Sequence, residues 1–147
     1  MIHFNETRVL SFYRKNIVSL VLDVDTYKEF LPWVVASSIT ERGENYFTGY
    51  LEFSYMGMQK GYLSRTIVEE PSTDFTLIKT MALDGPFKSL KSLWHIKHLN
   101  DHSCHIDYSI DIAFLNPMYQ TFFSKVFNDI AKQTINAFEE RAQTLYI

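Results

Sequence analysis

Four histidines crowd one predicted hairpin of this chain: His95, His98, His102 and His105, with Cys104 beside them and Asp107 and Asp111 on the strand that follows. Imidazole, thiolate and carboxylate are the groups that hold zinc or move protons, so geometry decides what they do here. Side chains alternate across a strand, which puts His95 and His105 on outward faces, while His98 and His102 flank a loop. No Glu-x-x-His or similar helical spacing accompanies them, so no metal site is expected. Asp107 and Asp111 share the polar face of their strand, where a solvated pair is expected rather than a general acid and base. Cys104 is the only cysteine. It can form neither an intramolecular disulfide nor a thiolate cluster, and reads as a small buried hydrophobe, with a redox role as the alternative. No Ser-His-Asp or Cys-His set and no glycine-rich phosphate loop is legible, and Asp84-Gly85-Pro86 reads as a turn. The expectation is a protein that is not an enzyme, with no catalytic residues and no catalytic cofactor.

What the chain offers instead is apolar surface. It carries 12 Phe, 9 Tyr and 2 Trp in 147 residues. On the strand 104–114, Ile106, Tyr108, Ile110, Ile112 and Phe114 point one way and His105, Asp107, Ser109 and Asp111 the other. On the helix that follows, Tyr119, Phe122, Phe123, Val126, Phe127, Ile130, Ala137 and Phe138 recur at three- and four-residue spacing, a stripe that must cover something apolar. Strand and helix make a wall and a lid. Periodicity leaves open whether they enclose only packed core or core plus a cavity.

The elements that position them follow from turn chemistry. Residues 3–12 form a first strand. Ile17, Leu20, Val21, Val24, Tyr27 and Leu31 fall at helical spacing, and Thr26 with Glu29 has the capping-box arrangement that starts a second short helix after a break near Asp25. Asp23 and Asp25 read as capping or ion-pair residues at that break. Pro32 stops the helix, because proline restricts Leu31 and cannot continue the ladder. Strands are predicted at 35–43, 46–55, 58–69, 75–83, 87–99 and 104–114, separated by short segments rich in Gly, Asn, Asp, Pro and Ser. Phe47, Leu51, Phe53 and Tyr55 share one face of their strand; Trp94 and Ile96 share a face opposite Lys91, His95 and Lys97. Asn116 is a suitable N-cap and Pro117 a suitable first residue for a helix of about 30 residues, ~45 Å long, running to Ile147.

The order is strand, two short helices, six antiparallel strands, one long helix. This predicts an α+β helix-grip fold, a curved antiparallel sheet of about seven strands wrapped around the C-terminal helix, in a single domain over residues 1–147. The formal charge of −3 from 14 basic and 17 acidic residues argues against a mainly electrostatic nucleic-acid binder. The first residues lack the zones of a secretion signal or an Arg-rich transit segment, and no run approaches the ~20 apolar residues of a bilayer span. A cytoplasmic protein is expected, free to make transient contact with the inner membrane surface.

Three separated motifs carry a family resemblance. Asp23-Val24-Asp25-Thr26-Tyr27-Lys28-Glu29-Phe30-Leu31-Pro32-Trp33, then Asp84-Gly85-Pro86-Phe87-Lys88 with Leu90 and Trp94, and Asn116-Pro117-Met118-Tyr119 with Val126-Phe127 and Ala137 to Ala142, resemble the coenzyme Q-binding COQ10/START-domain family, in order and over nearly the whole chain. Val34 departs from the pattern, since mitochondrial members often carry cysteine there. The resemblance implies a START or Bet v 1-like, polyketide cyclase-like fold. It also implies non-catalytic binding of ubiquinone or a similar polyprenyl lipid in an internal apolar cavity, by a carrier or chaperone that supports respiration. A polyprenyl tail offers only apolar area, worth roughly 25 cal/mol per Å² removed from water, and a quinone ring can stack on Trp or Tyr and accept a hydroxyl's hydrogen bond.

Candidate lining residues are Phe30, Pro32, Trp33, Phe53, Trp94, Tyr108, Ile112, Phe114, Tyr119, Phe122, Phe123, Val126 and Ile130; for each, plain core is the competing reading. Trp33→Ala and Phe123→Asp are expected to reduce quinone retention with the fold intact. A second function comes from the same superfamily, whose RatA-type toxins block ribosome subunit association. For that role Lys88, Lys91, His95 and Lys97 would supply the contact, against a solvated face balanced by Asp107 and Asp111. Aromatase or cyclase chemistry, the third, predicts polar groups pointing into the tunnel, and the inward rows named so far contain almost none. Membrane docking by Tyr55-Met56-Gly57-Met58 is a further expectation.

Overall fold

The computed structural model describes residues 1–146, and all that follows concerns those. The elements are β1 (Ile2–Leu10), α1 (Arg14–Leu22), a 3-10 turn (Val24–Thr26), α2 (Tyr27–Phe30), β2 (Val34–Arg42), β3 (Tyr46–Tyr55), β4 (Met58–Ser72), β5 (Phe75–Ala82), β6 (Phe87–Asn100), β7 (Ser103–Phe114) and α3 (Pro117–Tyr146). The seven strands form one antiparallel sheet in the order β1-β7-β6-β5-β4-β3-β2, so the first strand returns to pair with the last and the other neighbours are hairpins. Each predicted strand is present with its ends shifted by no more than a few residues. β1 stops at Leu10 rather than at residue 12, and Phe12 is buried in the link to α1. The expected end of the long helix at Ile147 falls outside the described residues.

Local chemistry sets the joints. Asn116 caps α3, its Oδ1 accepting from the Met118 N–H at 2.8 Å. Leu31, before Pro32, is extended at φ −81° and ψ 123° and ends α2. The capping box expected at Thr26 and Glu29 does not form. Thr26 Oγ1 instead donates to the Asp23 carbonyl at 2.9 Å, because a 3-10 turn occupies the place where a fresh N-terminus was expected. Asp25 serves as a tether, its Oδ1 accepting from the Ile39 N–H at 2.8 Å and so tying the helical segment to edge strand β2.

The Asp84-Gly85-Pro86 turn also braces β4. Asp84 Oδ1 accepts from the Leu63 N–H at 2.6 Å. Gly85 has φ +87°, and a Cβ there would stand 2.5 Å from the Tyr62 Cβ and 3.3 Å from the Gly61 carbonyl. Gly85→Ala is therefore expected to cost about 1–3 kcal/mol through the left-handed backbone and the collision with Tyr62, read as a lower urea midpoint at unchanged slope.

α3 lies across the concave face. Phe123, Phe127, Ala131, Ile135, Phe138 and Ala142 are its buried stripe. Two apolar cores result. In one, Leu10, Ile17, Leu20, Ile96, Ile106, Ile135 and Ala142 pack beneath α1; in the other, Ile2, Phe4, Leu90, Phe114, Phe123 and Phe127 pack beneath the first half of α3.

Candidate functional site

Between the two cores the molecule is hollow. The cavity has a volume of about 240 Å³ and is bounded by α3, by the α2–β2 segment and by the inward faces of β3 to β7. Trp33, Phe53, Trp94, Tyr108, Ile112, Phe114, Phe123 and Ile130 line it. Trp94 comes from the first core, with Tyr108 at 4.8 Å and Phe138 at 5.2 Å between ring centroids. Phe114 comes from the second, stacked on Phe123 at 4.9 Å. Trp33 reaches across the side, its indole Nε1 donating to Thr134 Oγ1 on α3 at 2.9 Å and its ring edge-on to Tyr55 at 5.6 Å.

Five expected lining residues lie elsewhere. Phe30 sits behind Phe138 at 5.3 Å, with the Arg141 guanidinium 5.4 Å above its ring. Pro32 is exposed, since the chain swings outward to leave α2. Tyr119, Phe122 and Val126 flank the buried stripe and are half-buried: Tyr119 packs edge-on to Phe114, Phe122 against Tyr55, and Val126 against the second core. A helix turns about 100° per residue, so a stripe this broad turns only its middle rows to the cavity.

The residues that sequence reasoning missed are hydroxyls. Tyr27, Tyr62, Ser64, Thr66, Thr80, Ser92 and Thr134 also line the cavity, correcting the expectation of almost no inward polar groups. Tyr62 and Tyr108 are half-buried, and both line the void. Burial pushes the Tyr62 phenol up to about 12, and raises Tyr108 and Tyr27 further, with Tyr62 and Tyr108 each adding to the effect on Tyr27.

These shifts predict a pH dependence. Below the ordinary value of 10 both folded and unfolded phenols hold their protons, and stability is undisturbed. As pH rises through 10 toward about 12 the unfolded phenol ionises while folded Tyr62 does not, so stability falls with pH. The expected result is a urea midpoint that declines across that window, less steeply in Tyr62→Phe.

The histidines and aspartates of the β6–β7 hairpin sit outside the cavity. Asp111 pairs with His3, and Asp107 Oδ1 accepts from Asn5 Nδ2 at 2.8 Å. In register, Asp111 faces Lys91 and Asp107 faces His95. His95 lies edge-on to Phe75 at 5.0 Å and His98 to Tyr13 at 6.1 Å. Among the described residues no three His, Cys, Asp or Glu side chains converge as metal ligands. Cys104 is fully buried; burial raises its thiol to about 11, against the opposing influence of the Arg14 charge. Among the described residues no helix is long and apolar enough to cross a membrane.

A seven-stranded antiparallel sheet closed by one long C-terminal helix over an apolar cavity defines the START or Bet v 1-like class of domain. Residues 18–139 match the family described as polyketide cyclase / dehydrase and lipid transport, and the chain belongs to that family. It is 29% identical to the ribosome association toxin RatA of Escherichia coli over 99% of this chain and 90% of that one. It is 28% identical to the mitochondrial coenzyme Q-binding protein COQ10 of Dictyostelium discoideum over 95% of this chain and 68% of that one. The START superfamily protein of Mycobacterium smegmatis shares the fold with a TM-score of 0.80 at 20% identity, over 97% of this chain and 98% of that one.

Proposed function

We propose that this protein binds ubiquinone or a similar polyprenyl lipid in its internal cavity and acts, without catalysis, as a carrier or chaperone supporting respiratory electron transport. The cavity itself carries the reading: an aromatic-walled void of about 240 Å³ whose described lining includes hydroxyls but no carboxylate, imidazole, amine or thiol. The COQ10-type relative is named for binding coenzyme Q. The test is to extract the recombinant protein into organic solvent and identify what it releases by mass spectrometry. A stoichiometric quinone supports the proposal, and an extract free of prenyl lipid opposes it.

The second reading is contact with the large ribosomal subunit. It is favoured by the RatA-type relatives and by the outward Lys91, His95 and Lys97 of β6, of which the two lysines are exposed. Co-sedimentation with that subunit, lost as salt rises, would support it.

Transient membrane contact is assigned to the β3–β4 hairpin. Met56 is 80% exposed at its tip. Met56 and Gly57, at φ +52° and +85°, make the two-residue turn. Liposome flotation is expected to fall several-fold in a Met56→Asp, Met58→Asp variant, through loss of apolar insertion and a charge cost.

A further inference from the structure

The cavity has a polar floor. On the inward face of β4, Tyr62, Ser64 and Thr66 follow one another at two-residue spacing; Thr66 faces Thr80 on β5, and Thr80 faces Ser92 on β6, making one row across three strands. On β7 the row continues to the apolar Ile110, and Tyr108 lies one inward position along, opposite Trp94. Thr66 and Thr80 satisfy each other at 2.8 Å. The hydroxyls of Tyr62, Ser64, Ser92 and Tyr108 make no hydrogen bond among the described residues and are not sealed away from the void. With no protein partner, these four hydroxyls are free to donate to an acceptor that occupies the space.

Depth and size set the orientation. The end of the sheet around the β6 start, the β3–β4 hairpin and the α3 N-terminus is apolar to the outside, with Met56, Leu115 and Met118 exposed. Ser92 lies five residues beyond Phe87 along β6, roughly 17 Å inward at the usual rise, while Tyr62 stands nearer that end, its ring edge-on to Phe87 at 4.9 Å. A void of about 240 Å³ exceeds the ~150 Å³ that shelters one benzene ring. It has room for a substituted ring, with the tail leading out of it.

Resting on the lipid-binding reading above, we propose that the ligand enters ring first. Tyr62, Ser64, Ser92 and Tyr108 donate hydrogen bonds to the oxygens of a quinone-class head, and the prenyl tail leads back past Tyr55 and Phe122 to the apolar end. A quinone oxygen only accepts and these hydroxyls can donate. The raised phenols keep their protons throughout the neutral range. A lipid bound tail first would lay hydrocarbon on all four hydroxyls.

The experiment measures two probes, decylubiquinone and decylbenzene, against the whole protein and its Tyr62→Phe, Tyr108→Phe double variant, with a Ser64→Ala, Ser92→Ala variant as the parallel pair should circular dichroism show the first unfolded. The expected result is quinone affinity about ten-fold weaker or worse in the variant with decylbenzene unchanged. Quinone affinity that survives the substitutions overturns the subsite and leaves the cavity reading standing. Equal weakening of both probes overturns it too, since packing would then be what was lost. Failure of the unaltered protein to bind either probe overturns the lipid-binding reading, and the subsite with it.

Discussion

Ser92→Phe will abolish quinone retention while leaving the protein at least as stable as before. Ser92 sits between Leu90 and Trp94 on the inward face of β6, in the interior of the sheet, and its hydroxyl faces the void. A phenyl ring there occupies the space a ligand ring would take, and aromatic residues suit a half-buried strand. Burying it in place of empty volume is worth roughly 1.5–3 kcal/mol. In a solid core the same ring would overpack at a cost of about 1–3 kcal/mol, so the sign of the stability change reports on the cavity independently of any ligand. Organic extraction and a urea titration of one preparation read both effects. The expected pair is an extract at background and a midpoint equal to or above the original.

Phe123→Ala will lower the unfolding free energy by about 3–5 kcal/mol, a large share of the ~5–15 kcal/mol that holds a typical domain together. Phe123 is 4% exposed. It is stacked on Phe114 at an interplanar angle of 14° and edge-on to Phe53 at 6.5 Å, with Tyr55 and Phe122 also against it. Removing the ring extends the cavity toward the second core and frees Phe114 on one face. The midpoint should fall at unchanged slope, and decylbenzene should bind more tightly in the enlarged void. Phe123→Asp, expected from the sequence to spare the fold, would place a carboxylate among Phe53, Tyr55, Phe114 and Phe122 with no partner. That variant should not fold, which makes alanine the informative change.

Why some of this was readable in the sequence and some was not comes down to which residues announce their own geometry. Turn residues do: Met56-Gly57, Asp84-Gly85-Pro86 and Asn116-Pro117 bounded β3, β4, β6 and α3 closely. The strict alternation of β7 placed Tyr108, Ile112 and Phe114 inward. Failure came where a signal was broader than the contact it stood for. The α3 stripe includes Tyr119, Phe122 and Val126, which cover the flanks rather than the hollow. At Thr26 the capping residues were present, but Thr26 is itself the last residue of a 3-10 turn, and its Oγ1 donates to the Asp23 carbonyl instead of accepting from the Glu29 N–H.

The hydroxyl row was hidden for a different reason. On β4 the apolar residues Leu63 and Ile67 alternate with Tyr62, Ser64 and Thr66, so hydrophobicity favours the wrong face. Arg65, which shares the outer face with them and stacks over Tyr46 at 4.8 Å, was the available clue. Register then carries the same face to Thr80 and Ser92. Small hydroxyl residues turned inward without a protein partner are uncommon in a packed core, and the proposed polar subsite rests on them.

Both tryptophans of the chain, Trp33 and Trp94, line the cavity, so a quinone bound there must quench their emission. Titrating decylubiquinone into the purified protein and following that fluorescence tests the hollow interior directly. A ring lodged between the tryptophans gives saturable quenching with one quinone per chain, absent in Ser92→Phe. Quenching that rises without saturation, or that persists undiminished in Ser92→Phe, would mean that the quinone does not occupy the cavity.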